Sequence, residues 1–99
     1  GMRMVVAGDM GELGAEKEAA HTALGKHARE KGVDRLFATG TLSRLTASAF
    51  GRDAVHVEDC AALGAAVLPL LAPGVCVLVK GSRSAGMERV VKQLTEPQD

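Results

Sequence analysis

Val75-Cys76-Val77-Leu78-Val79-Lys80-Gly81-Ser82-Arg83 is an apolar run that stops at a basic, glycine-containing loop. Shortly after it, Met87, Val90, Val91 and Leu94 recur at i, i+3, i+4 and i+7, which is the stripe of an amphipathic helix. The run itself reads as a buried strand. A strand that hands polar groups to the mouth of a helix is the arrangement by which open α/β sheets bind ligands, at the carboxyl ends of their strands. The same plan stands at the front of the chain. Arg3 to Ala7 reads as a buried strand that ends in Gly8-Asp9-Met10-Gly11-Glu12-Leu13-Gly14, an acidic glycine-rich loop.

Between these two strands the pattern alternates. Glu16 to Lys31 reads as a helix whose inner stripe is Ala20, Leu24 and Ala28, with Ala23 beside it, stopped by Gly32. Gly25 within it marks a close helix–sheet approach, or is tolerated at about 1 kcal/mol against alanine. Leu36 to Thr39 is a short strand, followed by a helix capped by Thr41 and facing inward through Leu42, Leu45 and Ala49. Ala54 to Val57 is a third strand. Asp59 caps the next helix, which carries Leu63, Ala66, Val67 and Leu70 and which Pro69 must end early or kink. The last helix runs from about Gly86 to Leu94. The order βαβαβαβα implies right-handed crossovers and a parallel sheet with helices on both faces. The 99 residues make one domain, counted from Met2 to Asp99. Gly1 reads as a cloning remnant with no structural role.

Composition removes several function classes. Twelve basic and twelve acidic residues cancel, and Phe37 and Phe50 are the sole aromatic residues. A nucleic-acid binder needs a basic footprint or stacking aromatics, and neither is present. No apolar run is long enough to insert into a membrane, and no signal-peptide pattern opens the chain, so a cytoplasmic protein is expected. Cys60 and Cys76 form no C-x-x-C pair. Both read as structural, Cys76 within a buried strand and Cys60 at the start of a helix. His21, His27 and His56 do not cluster, so no metal site is expected. No Ser-His-Asp, Cys-His or paired-carboxylate arrangement stands out, so no catalytic residue is assigned.

The two loops carry the chemistry. Gly8, Gly11 and Gly14 are spaced G-x-x-G-x-x-G, whereas a dinucleotide fingerprint needs G-x-G-x-x-G, and Asp9 and Glu12 would repel a pyrophosphate. The acidic loop suits an amine, a hydroxyl or a metal-bound group; equally, its acids could serve only the N-terminus of the next helix. Lys80, Ser82 and Arg83 around Gly81 suit a carboxylate or a phosphate, or are simply solvated. This is not a Walker A loop, because Lys80 precedes the glycine. Both loops lie at strand carboxyl ends, hence on one edge of a parallel sheet. One is acidic and one basic, so a zwitterion would complement the pair if the two strands are close, with a nucleotide phosphate as the competing use of the basic loop.

These residues resemble the Mur ligases. Val6-Ala7-Gly8-Asp9-Met10-Gly11-Glu12-Leu13-Gly14, followed by Glu16, Glu18 and His21, is similar to the Gly-Asp-Met-x-Glu-Leu-Gly segment of that family. Val79 to Val91, with Lys80-Gly81-Ser82-Arg83 and Met87-Glu88, is similar to its Lys-Gly-Ser-Arg segment, and Gly32-Val33-Asp34-Arg35 fits between them. The resemblance runs through essentially the whole chain in one register.

It implies the third domain of a three-domain ligase: a Rossmann-like three-layer αβα domain with a mostly parallel sheet, here lacking its first strand and helix. It implies an ATP- and magnesium-dependent reaction that adds D-alanyl-D-alanine to UDP-N-acetylmuramoyl-tripeptide in peptidoglycan precursor synthesis. The P-loop belongs to another domain, so this fragment alone is expected to be inactive and to hold no cofactor. Residue by residue, the resemblance implies Asp9 and Glu12 for the dipeptide amine. It gives Lys80, Ser82 and Arg83 to the dipeptide carboxylate or an ATP phosphate. Gly8, Gly11, Gly14 and Gly81 would permit close backbone approach, with His21 and Glu88 behind them. Two alternatives stay open: the third domain of a folylpolyglutamate synthase-like ligase, and a non-enzymatic α/β binding or regulatory module.

Overall fold

A computed structural model describes residues 1–11, 14–81 and 85–95. Its elements are β1 (Arg3–Ala7), α1 (Lys17–Glu30), β2 (Arg35–Thr39), α2 (Ser43–Phe50), β3 (Ala54–Val57), α3 (Cys60–Val67), β4 (Cys76–Lys80) and α4 (Met87–Thr95). Single 3₁₀ turns precede α1 at Gly14–Glu16 and follow α3 at Leu68–Leu70. All strands pair in parallel, in the order β3-β2-β1-β4. The chain therefore winds outward from β1 to β3, then crosses to the other side of β1. That reversal is a topological switch point, and it lies between β1 and β4.

The period of two along β1 sorts the core into two layers. Val5 and Ala7 pack with Ala28, Leu36, Ala38 and Phe50 under α1 and α2. Met4 and Val6 pack with Phe37, Leu63, Val67, Met87 and Val90 under α3 and α4. With both faces covered, β1 must be apolar at successive positions, which is why it reads as an unbroken hydrophobic run. The αβα layering matches the expected fold class.

Five expectations need correction. The buried residues of α1 are His21, Gly25 and Ala28, while Ala23 is exposed. Gly25 faces α2, not the sheet: a Cβ there would strike the Thr46 carbonyl oxygen. Close helix–helix approach through a glycine turns His21 and Gly25 inward, keeps Ala28 buried and leaves Ala20 and Leu24 half-buried. In α2 the buried residues are Ser43, Thr46 and Phe50, not Leu42, Leu45 and Ala49. Both polar groups can be buried because each has a hydrogen-bond partner, described below. Thr41 does not cap α2; the capping carboxylate comes from Asp9. Finally, Cys76 is exposed, because β4 is an edge strand whose residues alternate between exposed and half-buried.

Other local readings hold. Asp59 caps α3, accepting the Ala62 N–H at 2.8 Å. The helix ends at Val67, and Pro69 sits in the 3₁₀ turn that follows, as loss of its N–H requires.

Candidate functional site

The strand order places the acidic and basic loops side by side. β1 and β4 run in register from Arg3 opposite Cys76 to Ala7 opposite Lys80. One residue on, the Gly8 N–H donates to the Lys80 carbonyl at 2.8 Å, so the ladder continues into the loops. A Cβ on Gly8 would lie 2.5 Å from Met87 Sδ. A Cβ on Gly81 would lie 2.5 Å from Met87 Cγ and 3.3 Å from Gly8 Cα. Gly81 also has a φ of +151°, which a side chain would disfavour. The two loops thus touch through glycine backbone, with the first residue of α4 wedged against both.

Asp9 has a task that its position in the sequence does not suggest. Its carboxylate accepts the Leu42 N–H at 3.2 Å, and the Ser43 N–H and hydroxyl at 2.8 Å each. It caps the N-terminus of α2 from another element, where the N-cap residue Leu42 offers no side-chain acceptor, and its charge meets the positive end of that helix. Gly40 makes room for it: a Cβ on Gly40, whose φ is +107°, would collide with the Asp9 carboxylate. The next residue is held as well. The Met10 N–H donates to His21 Nε2 at 3.0 Å, and His21 is fully buried in α1. On the far side, His56 Nε2 reaches the Gly40 carbonyl at 2.7 Å, and Thr39 Oγ1 donates to the Val57 carbonyl at 2.8 Å. The ends of β1, β2 and β3 are therefore tied into one rim.

A cleft of about 460 Å³ opens along this rim, lined in part by Asp9, Gly40, Glu58, Asp59, Cys60 and Arg89. Asp9 and Asp59 cap the helices α2 and α3, so carboxylates already sit at those two positive helix ends. That side of the cleft favours a cationic group over an anion. Arg89, exposed on α4, brings positive charge to the cleft, whereas Lys80 is exposed on the opposite face of β4, beside Leu78 and Lys31. Cys60 donates its thiol to the Ala85 carbonyl at 3.1 Å, which ties the start of α3 to the approach of α4. The cleft is thus acidic along α2 and α3, with Arg89 facing it from α4.

Residues 1–83 match the family model described as Mur ligase, glutamate ligase domain. The chain belongs to the Mur ligase family. Over 98 residues this Mur ligase domain is 44% identical to the UDP-N-acetylmuramoyl-tripeptide–D-alanyl-D-alanine ligase of Escherichia coli strain K12, covering 97% of this chain and 22% of the relative. The enzyme of the same name from Bacillus subtilis strain 168 is 35% identical, with 97% and 22% covered. The domain therefore spans about a fifth of the length of these curated relatives. Among solved structures, a MurF crystal structure from Acinetobacter baumannii superposes with a TM-score of 0.82 at 27% identity, covering 98% of this chain and 23% of that one. MurF from Thermotoga maritima, solved in complex with ADP, has the same fold, with a TM-score of 0.79 at 22% identity over 95% of this chain and 22% of that one.

Within the Mur ligase domain, the residues expected at the site distribute as follows. Gly8, Asp9, Lys80 and Gly81 meet at the carboxyl edge of β1 and β4. Gly11 is exposed on the same loop. Gly14 lies at the first turn before α1 with a φ of +60°, and nothing stands within 4 Å of where its Cβ would be. His21 lies behind the loop, and Glu88 is exposed on the first turn of α4. Glu12, Ser82 and Arg83 lie outside the described residues. Sequence reasoning missed Gly40, Ser43 and Met87. The positive φ and the clash at Gly40 are tertiary facts, and Ser43 sits in an ordinary helical pattern, so neither leaves a local signal.

Proposed function

We propose that this domain is the part of an ATP-dependent ligase that receives D-alanyl-D-alanine for transfer to UDP-N-acetylmuramoyl-tripeptide, in cytoplasmic peptidoglycan precursor synthesis. The observation that carries the reading is the contact between the β1 and β4 loops. It sets Asp9 and the backbone of Lys80 and Gly81 on one edge, in a chain whose relatives are named for that reaction. A dipeptide zwitterion has an ammonium at one end and a carboxylate at the other. Asp9 contributes negative charge while it caps α2, and Glu12 adds to it. Lys80, Ser82 and Arg83 take the dipeptide carboxylate, or an ATP phosphate when neighbouring domains close. Gly11 and Gly14, both exposed, let a ligand lie against backbone, while Gly8 and Gly81 leave room for Met87.

The chemistry consumes ATP to make an acyl phosphate on the tripeptide carboxylate. The dipeptide amine attacks that carbonyl, the new C–N bond replaces the C–O bond to phosphate, and the amine proton leaves. This chain's residues position the amine; they do not build the nucleotide centre. Its sequence has no G-x-x-x-x-G-K-[ST] loop, and among the described residues no group of three His, Cys, Asp or Glu side chains could hold magnesium. No metal-dependent step is assigned to this domain.

The test uses the full-length ligase carrying this domain. ADP release in the presence of UDP-N-acetylmuramoyl-tripeptide is expected with D-alanyl-D-alanine and not with L-glutamate. Turnover with glutamate on a folate acceptor would replace this reading with that of a folylpolyglutamate synthase-like ligase. Phosphate uptake by Asp9 from a small phosphodonor would favour a regulatory module instead.

A further inference from the structure

The loop after β1 is gripped by two helices that also grip each other. His21 on α1 offers its Nδ1 to the Lys17 carbonyl and its Nε2 to the Met10 N–H. A carbonyl can only accept, so Nδ1 carries the proton. A backbone N–H can only donate, so Nε2 is bare. One neutral tautomer satisfies both contacts. The carbonyl of His21 in turn accepts the Thr46 hydroxyl of α2 at 2.7 Å. Three residues before Thr46, Ser43 holds Asp9. The contacts close a ring: Asp9, Ser43, Thr46, His21, Met10, and back to Asp9 along the chain. Gly25, one turn beyond His21, is what lets α1 and α2 come close enough. His21, Ser43 and Thr46 are fully buried, and among the described residues no buried side-chain nitrogen or oxygen lacks a partner.

A segment flanked by Gly8 and Gly11 has little intrinsic stiffness, so its path depends on anchors outside it. Asp9 anchors through its side chain, and Met10 through its backbone. We infer that His21 is a positioning residue: as the neutral Nδ1–H tautomer it fixes the Met10 amide, and with it the path of Gly8–Gly11 along the cleft. An apolar side chain of similar bulk would fill the same space and leave the Met10 N–H without its acceptor. Glutamine would not, because its Oε1 is as many bonds from Cβ as His21 Nε2 is. The structural part of this inference stands by itself; its consequence for the dipeptide rests on the proposed function.

Two variants of the 99-residue chain, His21→Leu and His21→Gln, are compared by amide hydrogen exchange, with Val6 in β1 as the reporter of global opening. In His21→Leu, exchange at Met10 should accelerate by about tenfold beyond any change at Val6, the worth of one hydrogen bond. In His21→Gln it should stay near that of the unaltered chain. Acceleration that merely parallels Val6, or no rescue by glutamine, overturns the positioning role. Should His21→Leu fail to fold, the unaltered chain decides. A two-bond ¹H–¹⁵N spectrum must show Nδ1 protonated and Nε2 bare, and the opposite tautomer overturns the inference. In the full-length ligase, His21→Leu should raise the D-alanyl-D-alanine KM by about tenfold while the ATP KM holds, with recovery in His21→Gln. An unchanged dipeptide KM alongside accelerated Met10 exchange overturns the functional role. A ligase that does not accept the dipeptide at all would instead refute the proposed function and leave the exchange result standing.

Discussion

β1 and β4 are neighbours, run parallel and deliver their loops to one edge, yet they are held in different ways. β1 is central: Met4, Val5, Val6 and Ala7 are all buried, and strands flank it on both sides. β4 is at the sheet's edge. Val77 and Val79 pack against the α3–α4 core, while Leu78, on the opposite face, is 53% exposed. Both strands are apolar runs in the sequence. An apolar run therefore shows that a strand exists, but not whether it lies at the centre or the edge of a sheet. Their carboxyl ends differ in the same sense. Asp9 and Met10 after β1 are held by side-chain contacts, through Asp9 and His21, whereas Lys80 and Gly81 meet Gly8 through backbone, with Met87 packed against both glycines.

The largest expected effect separates the strands themselves. Met4→Ala should cost about 2–5 kcal/mol in denaturant unfolding, as deletion of a buried side chain does. Leu78→Ala should change stability by no more than about 0.5 kcal/mol. Equal costs would mean that β4 is as buried as β1. Next come the loops. Asp9→Ala removes a charged cap and should cost about 2 kcal/mol, while Lys80→Ala, on an exposed side chain, should cost about none. A local cap gives a scale for that figure: Asp59→Ala should cost about 1 kcal/mol. The smallest difference is in thiol chemistry. Cys76 on the open face of β4 should react with a thiol reagent about tenfold faster than Cys60, which is half-buried and donates to Ala85. Reversal of that order would contradict the exposure of β4.

Much of the fold was legible because it rests on local signals. The alternation of strands and helices, the Asp59 cap, the stop at Pro69 and the glycine ends of strands all lie within a few residues of what they control. The parallel sheet followed from that alternation. Strand order did not, because nothing in β1 or β4 names its neighbour. The misread faces of α1 and α2 share one physical cause. Gly25 brings the helices together, and buried Ser43, Thr46 and His21 satisfy one another, so polar residues occupy places where apolar ones were expected. At the site, the pair of loops was readable as acidic and basic. That Asp9 also caps α2 was not, since its partners are 33 and 34 residues away.

The central claim is that the two loops serve one ligand. Its most direct test measures KM for D-alanyl-D-alanine and for ATP in the full-length ligase carrying Glu12→Gln on one loop or Arg83→Ala on the other. Both substitutions are predicted to raise the dipeptide KM, by about tenfold for loss of a charge-assisted hydrogen bond, and to leave the ATP KM in place. If Glu12→Gln moves one substrate and Arg83→Ala moves the other, or if neither moves the dipeptide, the two loops do not form a single site.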